Sequence, residues 1–257
     1  GPDDFPDGYD PLTGLPCEDP NLLDLPPAMV SVTNFPLTAR PQAGLPYSPY
    51  VFEIYIGEGM TRFLAMFYCN FPELPKDTNS SETPTVGPIR SGRLPYKSLR
   101  DLYSGFLVMA SASAEVGARL GGATSIYGSD EGDINSALIS VDKLEEIAQE
   151  NALNQMPGNL TGNLFDPIPP DGGAAAPTLW MFYNDWNETL WNYDTELGSY
   201  LRFQDQAEVS QEFVPATDRL DGQQLGFENV IILKADHIVK NSEGTLIDIN
   251  LFYTYNV

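Results

Sequence analysis

A stretch rich in proline, glycine and alanine divides this chain into two parts with different patterns. Residues 154–177 show neither helical nor strand periodicity, and we predict that they form a linker. Strand-like runs alternate with helical runs before it, which is typical of an α/β domain. Short apolar runs separated by turn residues follow it, which is typical of β structure. The sequence predicts an α/β domain (mixed sheet with flanking helices) at 28–153 and a smaller, mostly-β domain at 178–257. Because the chain stops on an apolar run, we expect the second domain to be truncated.

The first 27 residues are too rich in proline for a helix or a strand ladder, so we predict an extended arm. The arm contains Cys17, and Cys69 is the last residue of a predicted strand. Two cysteines are too few for a disulfide framework or a zinc site. Either they pair, which ties the arm to that strand in an oxidising compartment, or they are two thiols and Cys69 packs as a small hydrophobe. Counting residues does not choose between the two.

The α/β part has a clear set of predicted elements. The strands are Ala28–Thr33, Tyr50–Ile56, Thr61–Cys69 and Phe106–Ala110, and the helices begin near Pro95, Ser111 and Val141. On the helix from Pro95 we predict an apolar face of Leu99, Leu102 and Tyr103. Lys97 and Arg100 then lie on a solvated face. In the second part, NVIILKADHI is among the runs that we predict to be strands.

The charge of the chain excludes some classes of partner. It has 13 basic and 36 acidic residues, for a formal net charge of -23. Phosphate backbones need clustered lysine and arginine, so we expect no binding to nucleic acid. No run of about 18 apolar residues is present, so a membrane contact requires a lipid anchor that is absent from this chain.

The scarce basic residues are concentrated in one glycine- and proline-rich stretch, where six of the 13 lie between Arg62 and Arg100. Arginines just before a helix start can clamp a carboxylate or phosphate, aided by the helix dipole. Glu53 lies inside an apolar strand and needs a partner, for which an arginine of a neighbouring element is suited. The predicted ligand site consists of Arg40, Glu53, Glu58, Arg62, Arg90, Ser91 and Arg93. The alternative is that the arginines pair with Glu53, Glu58 and loop carbonyls and lock the loops together.

Several segments resemble a known family in the right order along the chain. They are DPLTGLP (10–16), ARPQAGL (39–45), VFEIYIGEGMTRF (51–63), VGPIRSGR (86–93), WNYDTELGSYLRF and DGQQLGFENVII. On these segments the chain resembles the YerB-like family of predicted bacterial lipoproteins, a domain of unknown function. The resemblance implies an extracytoplasmic, lipid-anchored protein with an α/β part followed by a smaller β-rich part. It brings no activity, so we assign no catalytic residue and no cofactor.

Other chemistries have weaker support. Four residues with side-chain oxygens alternate as in a calcium-binding loop: Asp130, Glu131, Asp133 and Asn135. The glycine and the closing glutamate of an EF-hand are misplaced here, so the alternative is an acidic surface loop. The single histidine, His237, has no nucleophile motif to complete a serine triad, so we predict an ordinary strand residue. An aromatic run from Trp180 to Tyr193 can stack on sugars or pack as hairpin core.

Together these observations predict an extracytoplasmic protein, at the cell surface or secreted. Our first hypothesis is a binding or scaffold module with an arginine-lined anion site, whose partner is an anionic cell-envelope ligand or another surface protein. One alternative is an enzyme acting on cell-envelope polymer, with Glu53 or Glu58 as acid or base. Another is a structural subunit of a surface assembly. The residues favour a non-enzyme.

Overall fold

A five-stranded mixed sheet forms the centre of the N-terminal domain, in the order β2-β3-β1-β5-β6. The structure, a computed structural model, describes residues 5–75, 83–121, 124–126, 137–154, 163, 165–166, 168, 171–239 and 247–250. Strand β1 pairs antiparallel with β3 and parallel with β5, and β6 continues the parallel half. The elements are β1 (Ala28–Thr33), β2 (Tyr50–Gly57), β3 (Met60–Phe67), β4 (Thr85–Val86), α1 (Pro95–Tyr103), β5 (Phe106–Met109), α2 (Ala114–Leu120), β6 (Thr124–Ile126), β7 (Ile139–Ser140) and α3 (Val141–Asn154).

Helices cover both faces of this sheet. Met29 of β1 belongs to an apolar cluster with Leu99 of α1 and Val116 of α2. Val30, the next residue of β1, belongs to a second cluster with Leu144 of α3. Every residue of β1 is therefore buried, as expected for a central strand with both faces packed. The mixed sheet with flanking helices confirms the predicted fold class of this part.

The C-terminal domain is mostly β, as predicted. Its main sheet has the order β11-β10-β9-β8, with β12 also paired to β10, and β13 pairs with β14. The strands are β8 (Thr178–Asn184), β9 (Asn187–Asp194), β10 (Ser199–Gln204), β11 (Val214–Pro215), β12 (Gly226–Phe227), β13 (Asp236–Val239) and β14 (Ile247–Asn250). Within the part of the chain that the structure describes, no helix is long and apolar enough to cross a membrane.

The two domains share packing and hydrogen bonds. Ala216 and Leu225 of the C-terminal domain belong to the same apolar cluster as Val30. The loop after β1 is held by the C-terminal domain, because Asp218 Oδ2 accepts from the backbone N–H of Gly44 at 2.7 Å and Arg219 Nε donates to the Pro41 carbonyl at 2.9 Å. The segment ARPQAGL (39–45) thus lies at the interface between the two domains.

The N-terminal arm lies on the domain but is not wholly extended. A 3-10 helix spans Pro20–Asp24, where the prediction had no helical element, because Asp19 caps it and proline suits its first turn. The structure joins Cys17 to Cys69 in a disulfide with a Cα–Cα distance of 5.8 Å. Tyr68 Oη donates to the Leu23 carbonyl at 2.8 Å. These contacts tie the arm to the end of β3.

Two local predictions were wrong. On α1, Arg100 is buried and donates from Nη1 to the Leu120 carbonyl at 3.0 Å, while Leu102 is exposed. The C-terminal carbonyls of α2 need donors, and the guanidinium of Arg100 supplies them. In the second domain, residues 229–233 form no strand, and β13 begins only at Asp236.

Candidate functional site

A pocket of about 390 Å³ opens where the two domains meet. The end of β1, the β2–β3 hairpin and the loop before α1 form most of it, and the C-terminal domain contributes one residue. The lining residues are Thr33, Phe35, Pro36, Ile56, Gly57, Glu58, Met60, Thr61, Arg62, Arg90, Arg93 and Glu208. Four of the predicted site residues thus line one cavity.

Arg62 is held by the sheet itself. It lies on β3, opposite Thr33 of β1 and Ile54 of β2, and only 6% of its surface is exposed. Its Nη1 donates to the Ser91 carbonyl at 2.6 Å. A buried guanidinium on a central strand is a rigid positive charge, because its backbone and side chain are both fixed.

The loop before α1 positions Arg90 and Arg93. The backbone N–H of Arg90 donates to the Ser31 carbonyl at 2.9 Å, and its own carbonyl accepts from Ala110 N–H at 3.1 Å. The loop is therefore hydrogen-bonded both to β1 and to the residue that follows β5. Arg93 Nη1 donates to the Gly92 carbonyl at 2.9 Å, and Gly92 has no room for a side chain because a Cβ there would collide with Met109 Sδ.

The helix terminus contributes less to this site than the sequence indicated. The backbone N–H groups of Tyr96 and Lys97 donate to the carbonyls of Arg93 and Leu94, at 3.1 Å in both cases. These donors are therefore not directed at an anion. Positive charge in the pocket comes from the guanidiniums.

Tyr96 lies close to two of the pocket arginines. It is fully buried at the first turn of α1. Burial raises the pKa of the Tyr96 phenol, and the nearby charges of Arg62 and Arg93 act against that rise.

Two carboxylates also line the pocket. Glu58 is at the tip of the β2–β3 hairpin, where it has a φ of 54°, in the left-handed region. Glu208 comes from a loop of the C-terminal domain. Among the described residues, neither carboxylate forms an ion pair.

The structure does not bring Glu53 to the pocket. Its carboxylate binds Arg202 of β10 through two contacts, Nη1 to Oε2 at 2.8 Å and Nη2 to Oε1 at 3.3 Å. Thr61 Oγ1 also donates to Glu53 Oε1 at 2.7 Å. Glu53 has the arginine partner that its burial requires, and that arginine is on the other domain.

Arg40 also lies outside the pocket lining. Its Nη1 donates to the Asp205 carbonyl at 2.8 Å and its Nε to the Asn34 carbonyl at 3.0 Å. Burial lowers the pKa of Arg40 to about 10; Arg202 adds to that effect and Asp205 opposes it. Ser91 is not among the lining residues either; its carbonyl accepts from Arg62 Nη1, and its hydroxyl is 2.9 Å from that of Ser111.

Sequence reasoning missed two residues of this region. Arg202 lies between Leu201 and Phe203 in an apolar strand, the same signal that singled out Glu53. Glu208 carries no such signal, because it lies in an acidic, irregular loop.

The remaining candidates lie elsewhere. Asp130, Glu131, Asp133 and Asn135 are outside the described residues. Among the residues that are described, no three His, Cys, Asp or Glu side chains are grouped to hold a metal ion. The His237 ring meets the Tyr55 ring edge-on at 5.4 Å. Trp180 and Trp186 are exposed, whereas Trp191 packs under the Arg202 guanidinium at 5.2 Å.

Comparison with known proteins identifies the family. Residues 12–156 match the model described as "Protein of unknown function (DUF3048) N-terminal domain", and residues 179–254 match that of the DUF3048 C-terminal domain. The "Putative lipoprotein YerB" of Bacillus subtilis (strain 168) is 28% identical over 249 residues, covering 91% of this chain and 69% of the relative. The crystal structure of YerB protein from Bacillus subtilis superposes with a TM-score of 0.73 at 26% identity, covering 95% of this chain and 80% of that one. These matches confirm the resemblance seen in the motifs: the chain belongs to the DUF3048 family and carries both its N-terminal and its C-terminal domain.

Proposed function

We propose that this protein is an extracytoplasmic binding module whose interdomain pocket holds the anionic group of a small cell-envelope ligand. The observation that carries the proposal is the convergence of Arg62, Arg90 and Arg93 on one cavity. In a chain with 13 basic residues against 36 acidic ones, three arginines in one pocket are a costly concentration of positive charge. Guanidiniums match carboxylate and phosphate oxygens geometrically, which makes an anion the natural occupant.

The size of the cavity supports a small ligand or the end of a longer one. At about 390 Å³ it is near the lower end of the range of about 300–1,000 Å³ found for small-molecule sites. Apolar side chains of Phe35, Ile56 and Met60 complete the lining beside the charged groups. Such a mixture of apolar walls and a few charged groups is typical of a specific binding pocket.

Two observations support the location. The Cys17–Cys69 disulfide is typical of proteins in oxidising compartments. The relative from Bacillus subtilis is named a lipoprotein, and we infer that attachment of this protein to a cell surface would also be through a lipid.

A second candidate function is catalysis on a cell-envelope polymer. It is favoured by the carboxylate of Glu58, which lines the same pocket as the arginines and can act as an acid or base. Glu53 is not available for that role, because Arg202 engages both of its oxygens. Release of a product from the polymer distinguishes this candidate from simple binding.

The proposal is tested by thermal unfolding of the wild type and of Arg90→Gln/Arg93→Gln in the presence of probes that carry a carboxylate or phosphate group. The probes are inorganic phosphate, succinate and apolar dipeptides. A probe at about 100 times its Kd stabilises the protein by about 2.7 kcal/mol, which raises the Tm by several degrees. We expect at least one probe class to raise the Tm of the wild type and to lose that effect in the double variant.

Arg119→Gln is the control, because it makes the same arginine-to-glutamine change once, at an exposed side chain of α2 outside the pocket. Arg62 is left intact, since its Nη1 supports the Ser91 carbonyl. If no probe raises the wild-type Tm, or if the rise persists in the folded double variant, the pocket does not bind anions and the proposal is wrong.

A further inference from the structure

We propose that the ligand of this pocket is a zwitterion, with its anionic group on the arginines and an ammonium group between Glu58 and Glu208. This inference rests on the proposed function and specifies the chemical class of the ligand. Its basis is that two carboxylates line the same cavity as three guanidiniums. The best-suited class is a small peptide or amino acid with a free amine and a free carboxylate.

The charges of the lining disfavour a purely anionic ligand. Among the residues that the structure describes, the five charged side chains of the lining sum to a formal charge of only +1. Phosphate or another polyanion entering such a cavity meets repulsion from Glu58 and Glu208, which offsets part of the attraction of the arginines. A ligand that carries both signs is attracted by both groups of side chains, and a like-charge contact would act against the wrong ligands.

Glu58 is held in place by its hairpin. The neighbouring backbone N–H of Gly59 donates to Tyr55 Oη at 3.2 Å, and the Glu58 carbonyl accepts from Asn184 Nδ2 at 3.1 Å. The Glu58 side chain remains exposed to the cavity and forms no ion pair with a described residue. A carboxylate on a fixed backbone is suited to receive an ammonium group.

Glu208 reaches the pocket from the C-terminal domain on a braced turn. Arg40 Nη1 donates to the Asp205 carbonyl at 2.8 Å. Asp205 Oδ1 accepts from the Ala207 N–H at 3.3 Å, and Gln206 N–H donates to the Ser210 carbonyl at 2.9 Å. Arg40, which sequence analysis placed among the ligand residues, therefore acts as a positioning residue for the turn that carries Glu208.

The cavity also has room for an uncharged middle section in the ligand. Phe35, Pro36, Ile56 and Met60 provide apolar contacts in the same lining as both charged groups. An apolar side chain of a short peptide matches this surface by burial of apolar area. The lining therefore favours dipeptides with apolar side chains over small ions such as acetate.

The experiment is calorimetric titration of the full chain with apolar dipeptides in three matched forms: free, N-acetylated and C-amidated. The N-acetyl form lacks the ammonium group and the C-amide lacks the carboxylate. Because a charge-assisted hydrogen bond contributes about 1.5–3 kcal/mol, we expect each blocked form to bind at least about tenfold more weakly than the free form. Glu58→Gln/Glu208→Gln should weaken binding of the free peptide and leave the N-acetyl form unaffected or bound more tightly.

The control variant is Glu196→Gln/Glu212→Gln, which removes two exposed carboxylates outside the pocket. If free and N-acetylated peptides bind equally well and both lose binding in Arg90→Gln/Arg93→Gln, the zwitterion inference is overturned while the anion site stands. If no form of the dipeptide binds in an arginine-dependent way, the zwitterion inference fails, and the proposed function fails as well if phosphate and succinate also leave the wild-type Tm unchanged.

Discussion

At the scale of single residues, the tip of the β2–β3 hairpin is the most constrained point of the site. Gly59 has a φ of 77°, a conformation that glycine adopts freely and other residues do not. A Cβ at this position would also collide with the side-chain amide of Asn184. The C-terminal domain holds the same point, because Asn187 Nδ2 donates to the Gly59 carbonyl at 2.8 Å. The glycine lets the two domains approach closely beside Glu58.

We therefore expect Gly59→Ala to destabilise the protein. The positive φ alone costs about 1–2 kcal/mol, and the collision with Asn184 adds to it. In an Asn184→Ala background, Gly59→Ala should cost less than it does in the wild type, because the Asn184 amide that meets the new Cβ is removed. Urea unfolding measures both effects. A Gly59→Ala variant with the wild-type midpoint would contradict the close approach described above.

At the scale of elements, the N-terminal arm is fastened to strand β3. The disulfide joins Cys17 to Cys69, and Tyr68 Oη donates to the Leu23 carbonyl at 2.8 Å. Burial raises the pKa of Tyr68 to about 12, and the charges of Asp10 and Asp24 contribute to the rise. The phenol is thus kept protonated where it serves as a donor.

This arrangement predicts a pH dependence. The pKa of Tyr68 is higher in the folded state than the ordinary value of 10.0, so the folded protein holds this proton more tightly. The corresponding stabilisation is complete below about pH 10 and is lost as the pH rises through about 12. We expect Tyr68→Phe to be less stable than wild type at neutral pH, and the difference to narrow between pH 10 and 12. Urea midpoints measured across this range test it. A difference that stays constant or widens would contradict it.

At the scale of the whole molecule, a buried ion pair joins the domains. The Arg202 guanidinium binds both oxygens of Glu53, lies over the rings of Phe63 and Trp191, and donates from Nη2 to Thr189 Oγ1 at 3.0 Å. Its side chain is 3% exposed and that of Glu53 is 15% exposed. Removing one partner leaves the other charge buried without compensation.

We expect Glu53→Gln and Arg202→Met each to destabilise the protein by about 3–5 kcal/mol, and the double variant to lose much less than their sum. The cycle is measured by urea unfolding. Lys143→Met/Glu146→Gln, which removes a largely solvent-accessible ion pair on α3, is the control and should cost about 0–1 kcal/mol. Additive losses at Glu53 and Arg202 would show that the two side chains do not act as a pair.

Much of the fold can be predicted from the sequence, because strand alternation, turns and helix starts depend on residues that are close together in the chain. Alternation and turn glycines predicted β1 with its observed bounds and the β2–β3 hairpin, and proline at a first helical position predicted the start of α1. Local pattern did not show which helix face is covered. The Arg100 guanidinium is directed inward because it donates to the Leu120 and Gly121 carbonyls at the end of α2. These carbonyls are about twenty residues away in the chain.

The candidate site also has one part that the sequence predicted and another that only the tertiary structure shows. The sequence by itself located Glu58, Arg62, Arg90 and Arg93 in glycine-rich motifs at a hairpin and before a helix, and the structure brings all four to one pocket. Only the tertiary structure decided that Glu53 pairs with Arg202, that Arg40 braces the turn at Asp205, and that Glu208 completes the lining. Backbone geometry depends on neighbours in the chain. The partner of a charge depends on distance in space, and here that distance is set by the packing of one domain on the other.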